Sequence, residues 1–291
     1  MVDNFELKLF FLRLLRNQFY MKYCLTLLLT FFGFNLHAQV YSAMGSRSSG
    51  VANASLLLTD NVYAPFTNQA GLASFNKFAA CAFTHNKFLI KELATHGAAV
   101  IVPGGKNGAF SGSVLYHGYS YFNQTKAAIG YGKKLSDVIS AGIQIDYIST
   151  SIAEDYGTKS AFTFELGFIA KITQSLTAGA HIFNPIRAKL AEYNDEKIPS
   201  ITRLALSYKF NDKCTLLAQS DKDFDKDFSF KSGIEYQVAK PLCLRAGINS
   251  KPTLLAFGLG INLGDFVIDI ATDYHQVLGY SPTVGICYKV K

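Results

Sequence analysis

The chain of 291 residues has no tryptophan, only seven prolines and few charged residues. Charged residues make up 17% of the sequence, below the roughly 25% that is usual for soluble domains. After residue 40 there is no stretch of about 18 uncharged apolar residues, which excludes a polytopic helical membrane protein. Because 49% of the residues are hydrophobic, the composition also excludes intrinsic disorder.

Aromatic residues and glycine are abundant instead. The chain has 24 Phe, 16 Tyr and 23 Gly, and its mean hydropathy is slightly positive at +0.16. Transmembrane β-barrels have this profile, because only one face of each strand has to be apolar. The composition therefore favours an all-β membrane protein.

The segment 21–38, MKYCLTLLLTFFGFNLHA, has the three parts of a secretory signal peptide. Lys22 is the basic residue, Leu25–Phe34 is the apolar run, and Ala38 is the small residue at the expected cleavage point. We therefore expect Met21 to be the true start of the protein.

Residues 1–38 are accordingly assigned to a signal peptide that is preceded by an over-extended reading of the gene. The alternative is a single hydrophobic anchor over residues 6–35. Three basic residues, Arg13, Arg16 and Lys22, would interrupt that anchor.

The cysteines after the signal are Cys81, Cys214, Cys243 and Cys287, and they have no CxxC or metal-like spacing. All of them fall in apolar, strand-like runs. We interpret them as small buried hydrophobic residues. An oxidising compartment would permit disulfides, but the sequence specifies no pairing.

Motifs of catalysis and metal binding are missing from the sequence. Ser113 and His117 lie four residues apart on one expected strand, about 13 Å from each other, which excludes a dyad. The acidic loop Asp221–Asp227 lacks the glycine and the distal glutamate of an EF-hand. The sequence has no stripe of clustered basic residues that would bind nucleic acid. We therefore expect a protein that is not an enzyme, without cofactor, metal or nucleic-acid partner.

From residue 78 to residue 291 the sequence alternates with period two. Phe230, Ile234 and Val238 alternate with Lys231 and Glu235, so a strand would place the two sets on opposite faces. Such runs predict fourteen strands, near 78–86, 96–103, 108–119, 124–134, 138–149, 159–171, 175–184, 199–210, 213–221, 228–238, 241–249, 253–263, 265–275 and 281–291.

The connections between these runs are alternately short and generally longer, as in outer-membrane barrels. Lipid-exposed sheet edges are not tolerated, so we predict a closed antiparallel transmembrane β-barrel of about 14 strands. It would lie in the outer membrane of a Gram-negative bacterium, in contact with lipid. The longest connection, Pro185–Pro199, is expected to be extracellular. A soluble sandwich or propeller is the alternative, but no blade repeat is present.

Residues 39–77 do not alternate and are rich in Ser, Ala, Asn and Gly. We expect this segment to be a hatch that plugs the barrel, with a short helix over Val51–Leu58. Arg47 would pair with an acidic side chain on the inner wall, as a structural anchor rather than a substrate-binding residue. The polar residues expected to face the lumen are Gln144, Asp146, Glu165, Lys231, Glu235 and Asp269.

The hatch segment carries a recognisable pattern, GSRSSGVANAS at residues 45–55 followed by NQAGLA at residues 68–73. It resembles the opening of PorV/PorQ-like outer-membrane proteins, which belong to the FadL-like barrel group. Gln69 departs from the proline of that pattern. The residues that carry the pattern are Gly45, Arg47, Gly50, Asn68 and Gly71.

This resemblance implies a fourteen-stranded barrel with an N-terminal hatch. It also implies an accessory or substrate-handling role in type IX protein secretion, with secretion-machinery partners. The alternative, implied by the wider FadL-like group, is passive transport of a hydrophobic small-molecule ligand. A surface adhesin or structural barrel remains a third class. An apolar pocket beside the hatch, with an opening in the wall, would favour transport.

Overall fold

A computed structural model describes most of the chain from residue 44 onward. The predicted signal peptide, residues 1–38, lies outside the described residues and stays a prediction. The described ranges, all within one unit that spans 39–291, are 44–58, 60–105, 108–153, 157–190 and 198–290.

Fourteen antiparallel strands form a closed barrel, in which each strand pairs with its neighbours along the chain and β1 pairs with β14. The prediction of a closed antiparallel barrel is thereby confirmed. The strands are β1 Ala79–Asn86, β2 Ala94–Pro103, β3 Gly108–Tyr119, β4 Phe122–Lys134, β5 Ile139–Ile152, β6 Gly157–Lys171, β7 Leu176–Phe183, β8 Ile201–Lys209, β9 Cys214–Asp223, β10 Ser229–Ala239, β11 Leu242–Ser250, β12 Thr253–Leu263, β13 Phe266–His275 and β14 Gly279–Lys289.

The period-two pattern separates an apolar outer face from an inner face of polar residues and glycine. On β10, Phe230, Ile234 and Val238 are exposed, whereas Gly233 between them is buried. Alternate residues of a strand point to opposite faces, so the apolar set forms the outer surface of the barrel. Among the described residues, no helix is long and apolar enough to cross a membrane.

Aromatic pairs mark both ends of this outer face. The ring centroids of Phe266 and Tyr288 are 5.1 Å apart near the short-turn end, and those of Tyr274 and Tyr280 are 4.9 Å apart near the other end. The eight steps along the strand from Phe266 to Tyr274 span about 26 Å. Strand tilt shortens this to roughly 20 Å, close to the ~25 Å apolar band of outer-membrane barrels.

The connections are less regular than the sequence suggested. Only Ser120 and Tyr121 join β3 to β4, and only Lys251 and Pro252 join β11 to β12, at the end where the other connections are longer. Positive φ at Gly118 accommodates the first of these tight turns. Loop length at this end therefore varies widely around the barrel.

Residues 44–58 and 60–77 pack inside the ring of strands, and we call them the hatch. Helix α1, Ser46–Ser49, contacts β12 to β14, whereas the 3₁₀ turn Gln69–Ser74 contacts β3 to β6 on the other side of the ring. A second 3₁₀ turn spans Ala64–Phe66. The predicted helix over Val51–Leu58 is wrong, because positive φ angles at Ala52 and Asn53 turn the chain there.

Aromatic packing joins the hatch to the first strands of the barrel. The ring of Phe83 on β1 meets those of Tyr63 and Phe66 edge-on, with centroids 5.9 and 5.4 Å apart. These side chains belong to a buried apolar cluster that also contains Leu72 and Leu115. Such edge-to-face pairs stabilise beyond their burial, by ~0.5–1.5 kcal/mol each.

Candidate functional site

Glycines of the inner wall allow the hatch backbone to touch the strands directly. A Cβ on Gly258 would lie 2.8 Å from the Cα of Gly50, and a Cβ on Gly142 would collide with the backbone of Gln69 and Ala70. Only glycine permits this approach. The inner-wall positions at which an added Cβ would collide with the hatch are Gly132, Gly142, Gly167, Gly179, Gly233, Gly247, Gly258 and Gly285.

Arg47 holds one side of the hatch against the wall. Its Nε donates to Glu235 Oε1 at 2.9 Å and its Nη2 to Glu235 Oε2 at 2.7 Å, a bidentate pair. Arg245 Nε donates to the same Glu235 Oε1 at 2.7 Å, and Arg245 Nη1 donates to Asp269 Oδ1 at 2.7 Å. We call these four residues the anchor network. Burial alone would lower the pKa of Arg47, but the charge of Glu235 outweighs it and raises that pKa.

Gln69 holds the other side of the hatch. Its Nε2 donates to Glu165 Oε2 at 2.8 Å, and that oxygen also contacts His181 Nε2 at 2.8 Å. Lys126 Nζ donates to Glu165 Oε1 and lies 3.5 Å from Asp146 Oδ1. Gln69, which stands where the PorV/PorQ-like pattern has proline, therefore has its own hydrogen bond to the wall.

The tautomer of His181 follows from its second contact. His181 Nδ1 lies 3.0 Å from Arg203 Nη1, and a guanidinium can only donate, so Nδ1 accepts. The proton of the neutral ring is then on Nε2, which donates to Glu165. We call Lys126, Asp146, Glu165, His181 and Arg203 the charge cluster. Its two cations balance its two carboxylates, as buried charges require.

Five of the six predicted lumen-facing residues lie in these two networks or contact them, and Lys231 has a separate partner. Asp146 and Glu165 lie in the charge cluster, and Gln144 Nε2 donates to Asp146 Oδ1 at 2.9 Å. Lys231 pairs with Asp221 at 2.6 Å. Glu235 and Asp269 lie in the anchor network, described above.

The hatch-motif residues shape the hatch and its contacts with the wall. Gly45 has a φ of 128°, and its Cβ would lie 2.7 Å from the ring of Tyr63. Asn68 accepts from Ala70 N at 3.1 Å, and a Cβ on Gly71 would lie 3.3 Å from the Cβ of Ala64. Burial in the hatch raises the pKa of Tyr63.

Four charged or titratable partners were not predicted from the sequence. Each occupies an inward position of its strand, where it is buried. Three of them contact a predicted residue, and Arg203 contacts His181. Applying the same alternation to their strands could have found them. They are Lys126, His181, Arg203 and Arg245.

Among the described residues, the ladder between β6 and β7 stops well before the end of β6 that lies opposite the short turns. β6 pairs with β5 along fourteen residue pairs, but with β7 only along seven, from Lys171↔Thr177 to Glu165↔Phe183. Asn184 then turns away with a φ of 52°, and its N donates to Phe164 O at 3.1 Å. Residues 157–163 thus have no β7 partner within the described ranges.

An apolar cluster lies beside this interruption. Ile148, Phe183, Leu190 and Ile198 are buried against one another, and we call them the gap cluster. Lys126 Nζ lies 4.9 Å from the centroid of the Phe183 ring, so the gap cluster adjoins the charge cluster. The interruption is at the end of the barrel opposite the short turns. The side chains of the gap cluster are apolar, whereas those of the charge cluster beside it are polar.

Comparisons with known proteins identify similar structures but no family. No family model matches the chain, and no curated protein matches it. The monoaromatic hydrocarbon channel CymD superposes with a TM-score of 0.68 at 10% identity, over 87% of this chain and 99% of that one.

Two further solved barrels are similar. The P. putida toluene transporter TodX gives a TM-score of 0.65 at 12% identity, over 87% of this chain and 99% of its own. A Pseudomonas aeruginosa FadL homologue gives 0.60 at 12% identity, over 84% and 96%. The resemblance to PorV/PorQ proteins is not matched by these findings. The chain has the fold of FadL-like outer-membrane barrels.

Proposed function

We propose that the protein is a non-enzymatic channel of the outer membrane that admits small hydrophobic molecules. The proposal is supported by the shared fold with proteins described as hydrocarbon channels and a toluene transporter. This is the alternative function that the wider FadL-like group implies in the sequence analysis. No comparison supports a role in type IX secretion or a secretion-machinery partner.

The interruption between β6 and β7 is the observation that carries this proposal. The inner wall around the hatch bears the charge cluster and the anchor network, and a hydrophobic molecule gains nothing by leaving lipid for such a surface. The gap cluster is apolar and lies where the β6–β7 ladder stops. A hydrophobic molecule would therefore enter the wall here, in contact with Phe183, Leu190 and Ile198.

The hatch fits the same proposal. Its two charged attachments and its direct contact with wall glycines close the lumen to ions and water-soluble solutes. Passage of a hydrophobic ligand then takes place at the gap, without an open aqueous pore. The connection between β7 and β8 would face the outside of the cell, where the ligand arrives.

The test is uptake of radiolabelled toluene by a Gram-negative host that expresses the protein. Leu190→Asp places a carboxylate in the gap cluster and should lower the uptake rate about tenfold, since 1.4 kcal/mol already gives that factor. Ile186→Asp makes the same change in the same connection, at a residue that is 58% exposed, and should leave uptake unchanged. Equal rates for the two variants would contradict the proposal.

A further inference from the structure

The seam between β1 and β14 differs from every other strand junction of the barrel. Elsewhere, neighbouring strands are consecutive in the chain, so a turn or loop joins them covalently. β1 and β14 are the two ends of the barrel sequence, and backbone hydrogen bonds join them along the register Ala79↔Lys289 to His85↔Thr283. Closure of the barrel therefore depends on this ladder.

Two cysteines face each other across the seam. Cys81 on β1 is the direct register partner of Cys287 on β14. Both side chains point inward and are buried, with exposed fractions of 6% and 3%. Cys81 Sγ donates to Val62 O of the hatch at 3.5 Å.

Directly opposite residues of an antiparallel pair have Cα atoms about 4.5–5.5 Å apart. A disulfide requires about 4.4–6.8 Å. Opposite residues therefore lie within the distance that a disulfide can bridge, whether or not their backbones are hydrogen-bonded to each other. The Cys81 and Cys287 side chains are also on the same face of the sheet.

The other two cysteines cannot form such a pair. Cys214 on β9 is opposite Tyr236, and Cys243 on β11 is opposite Gln237, so β10 lies between them. Two strand spacings amount to about 9.5 Å, beyond the reach of a disulfide. The fold thus distinguishes one pairing among four thiols that the sequence left open.

We propose that Cys81 and Cys287 form an intramolecular disulfide that covalently joins the first and last strands of the barrel. The step occurs in the oxidising compartment between the membranes. It requires a disulfide donor of the thiol oxidoreductase class.

The thiolate of one cysteine attacks the donor disulfide and forms a mixed disulfide. The thiolate of the other cysteine then attacks the protein sulfur of that intermediate. The donor leaves as a dithiol, having taken up two electrons and the two protons that the cysteines released. Because both sulfurs are buried in the closed barrel, the exchange takes place while the seam is still open.

The bond would act on barrel closure. It turns a hydrogen-bonded seam into a covalent ring that encloses all fourteen strands, and long closed loops restrict the unfolded chain most strongly. It also fixes the wall next to Val62, where the hatch packs on β1. A reducing treatment should therefore weaken the closed barrel without removing any other contact.

The first test is thiol mapping on protein isolated from its native outer membrane. The membranes are unfolded in denaturant with N-ethylmaleimide and no reductant, then digested and read by mass spectrometry. We expect Cys214 and Cys243 to be alkylated and a linked peptide to join Cys81 to Cys287. Alkylation of all four cysteines, or a link that involves Cys214 or Cys243, would overturn the proposal.

The second test is the unfolding temperature of the barrel in detergent, read by its shift in gel mobility on heating. Reductant should lower that temperature for the wild type and for the control variant C214S/C243S. It should have no effect on Cys287→Ser. An equal effect of reductant on Cys287→Ser and wild type would contradict the disulfide. If Cys287→Ser does not assemble, the control variant C214S/C243S decides the question. An unfolding temperature of that variant that reductant does not change would contradict the disulfide.

Discussion

The two sides on which the hatch meets the wall are built differently. On the side of β10 to β13, Glu235 has both oxygens occupied by Arg47, and one of them also accepts from Arg245. On the side of β4 to β8, Gln69 Oε1 and Asp146 Oδ2 have no hydrogen-bond partner among the described atoms. The anchor network is therefore the more fully satisfied attachment.

This difference indicates which side of the hatch can yield. A bidentate guanidinium–carboxylate pair fixes orientation as well as distance. In the charge cluster, the single carboxylate of Glu165 contacts Lys126, His181 and Gln69 together. It also adjoins the gap cluster, so movement of the hatch on this side would affect the proposed ligand route first.

The largest expected effect is at Glu165. Glu165→Gln leaves Lys126 buried with Asp146 as its remaining carboxylate, at 3.5 Å. Breaking one partner of a buried ion pair costs about 3–5 kcal/mol, so the free energy of unfolding should fall by about this amount. Urea titration of the barrel in lipid measures it. Glu92→Gln, in the exposed β1–β2 connection, is the control. A loss no larger than that of the control would show that Glu165 is not the centre of this side.

Arg47→Ala should come next, with a loss of about 3 kcal/mol, because Glu235 keeps Arg245 as a partner. The barrel itself should remain assembled, since the lost contacts are those of the hatch. Protease treatment of the folded variant should release hatch peptides that the wild type protects. Arg187→Ala, at an exposed loop arginine over Phe224, serves as the control. Equal protection in Arg47→Ala and wild type would show that the anchor network is not what fixes the hatch.

Glycine variants compare the two sides directly at a constant change of one methyl group. Gly247→Ala would displace Val51 on the anchor side, and Gly142→Ala would displace Gln69 and Ala70 on the gap side. Each substitution should lower the free energy of unfolding by about 1–3 kcal/mol. Protease should release more hatch peptide from Gly142→Ala than from Gly247→Ala. The control is Gly112→Ala, whose Cβ would lie 3.7 Å from its nearest neighbour, Val100. A loss of unfolding free energy in Gly142→Ala no greater than in Gly112→Ala would show that the hatch backbone does not need glycine at position 142.

The smallest effect is expected far from both sides. Asp227 is fully exposed, and its hydrogen bond and ion pair with Lys251 hold the pKa of its carboxylate below the ordinary value. The contribution of Asp227 to the free energy of unfolding is therefore fully present above the ordinary pKa. It is lost as the pH falls through the lowered pKa of the folded protein. NMR titration should show the pKa of Asp227 rising in Lys251→Ala, with no change in hatch protection. An unchanged pKa would remove the ion pair from the account.

The barrel could be predicted from the sequence because the two-residue period shows which face of each strand is apolar. A closed sheet with an apolar outside then allows few ways to pair the strands. The predicted strand 253–263 coincides with β12, and the predicted bounds of β3, 108–119, are those of the structure. Period and turn chemistry are local properties, which a sequence displays directly.

The partners inside the lumen could not be predicted in the same way. Arg47 and Glu235 are 188 positions apart in the chain, and their meeting depends on how the hatch is threaded. Gln69 was interpreted as the loss of a proline, whereas it donates to Glu165. The helix expected over Val51–Leu58 failed for a related reason. Close contact of Val51 with Gly233 and Gly247 accompanies tight turns there rather than a helix.

The central claim is that the hatch closes the lumen while the barrel stands without it. The most direct test is the ionic conductance of single proteins in a planar bilayer, compared between the full chain and a deletion of residues 41–66. Heat-dependent gel mobility shows whether the deletion variant is an assembled barrel. The account predicts almost no conductance for the full chain and a stable open channel for the assembled deletion variant. Equal conductance of the two assembled proteins would contradict it.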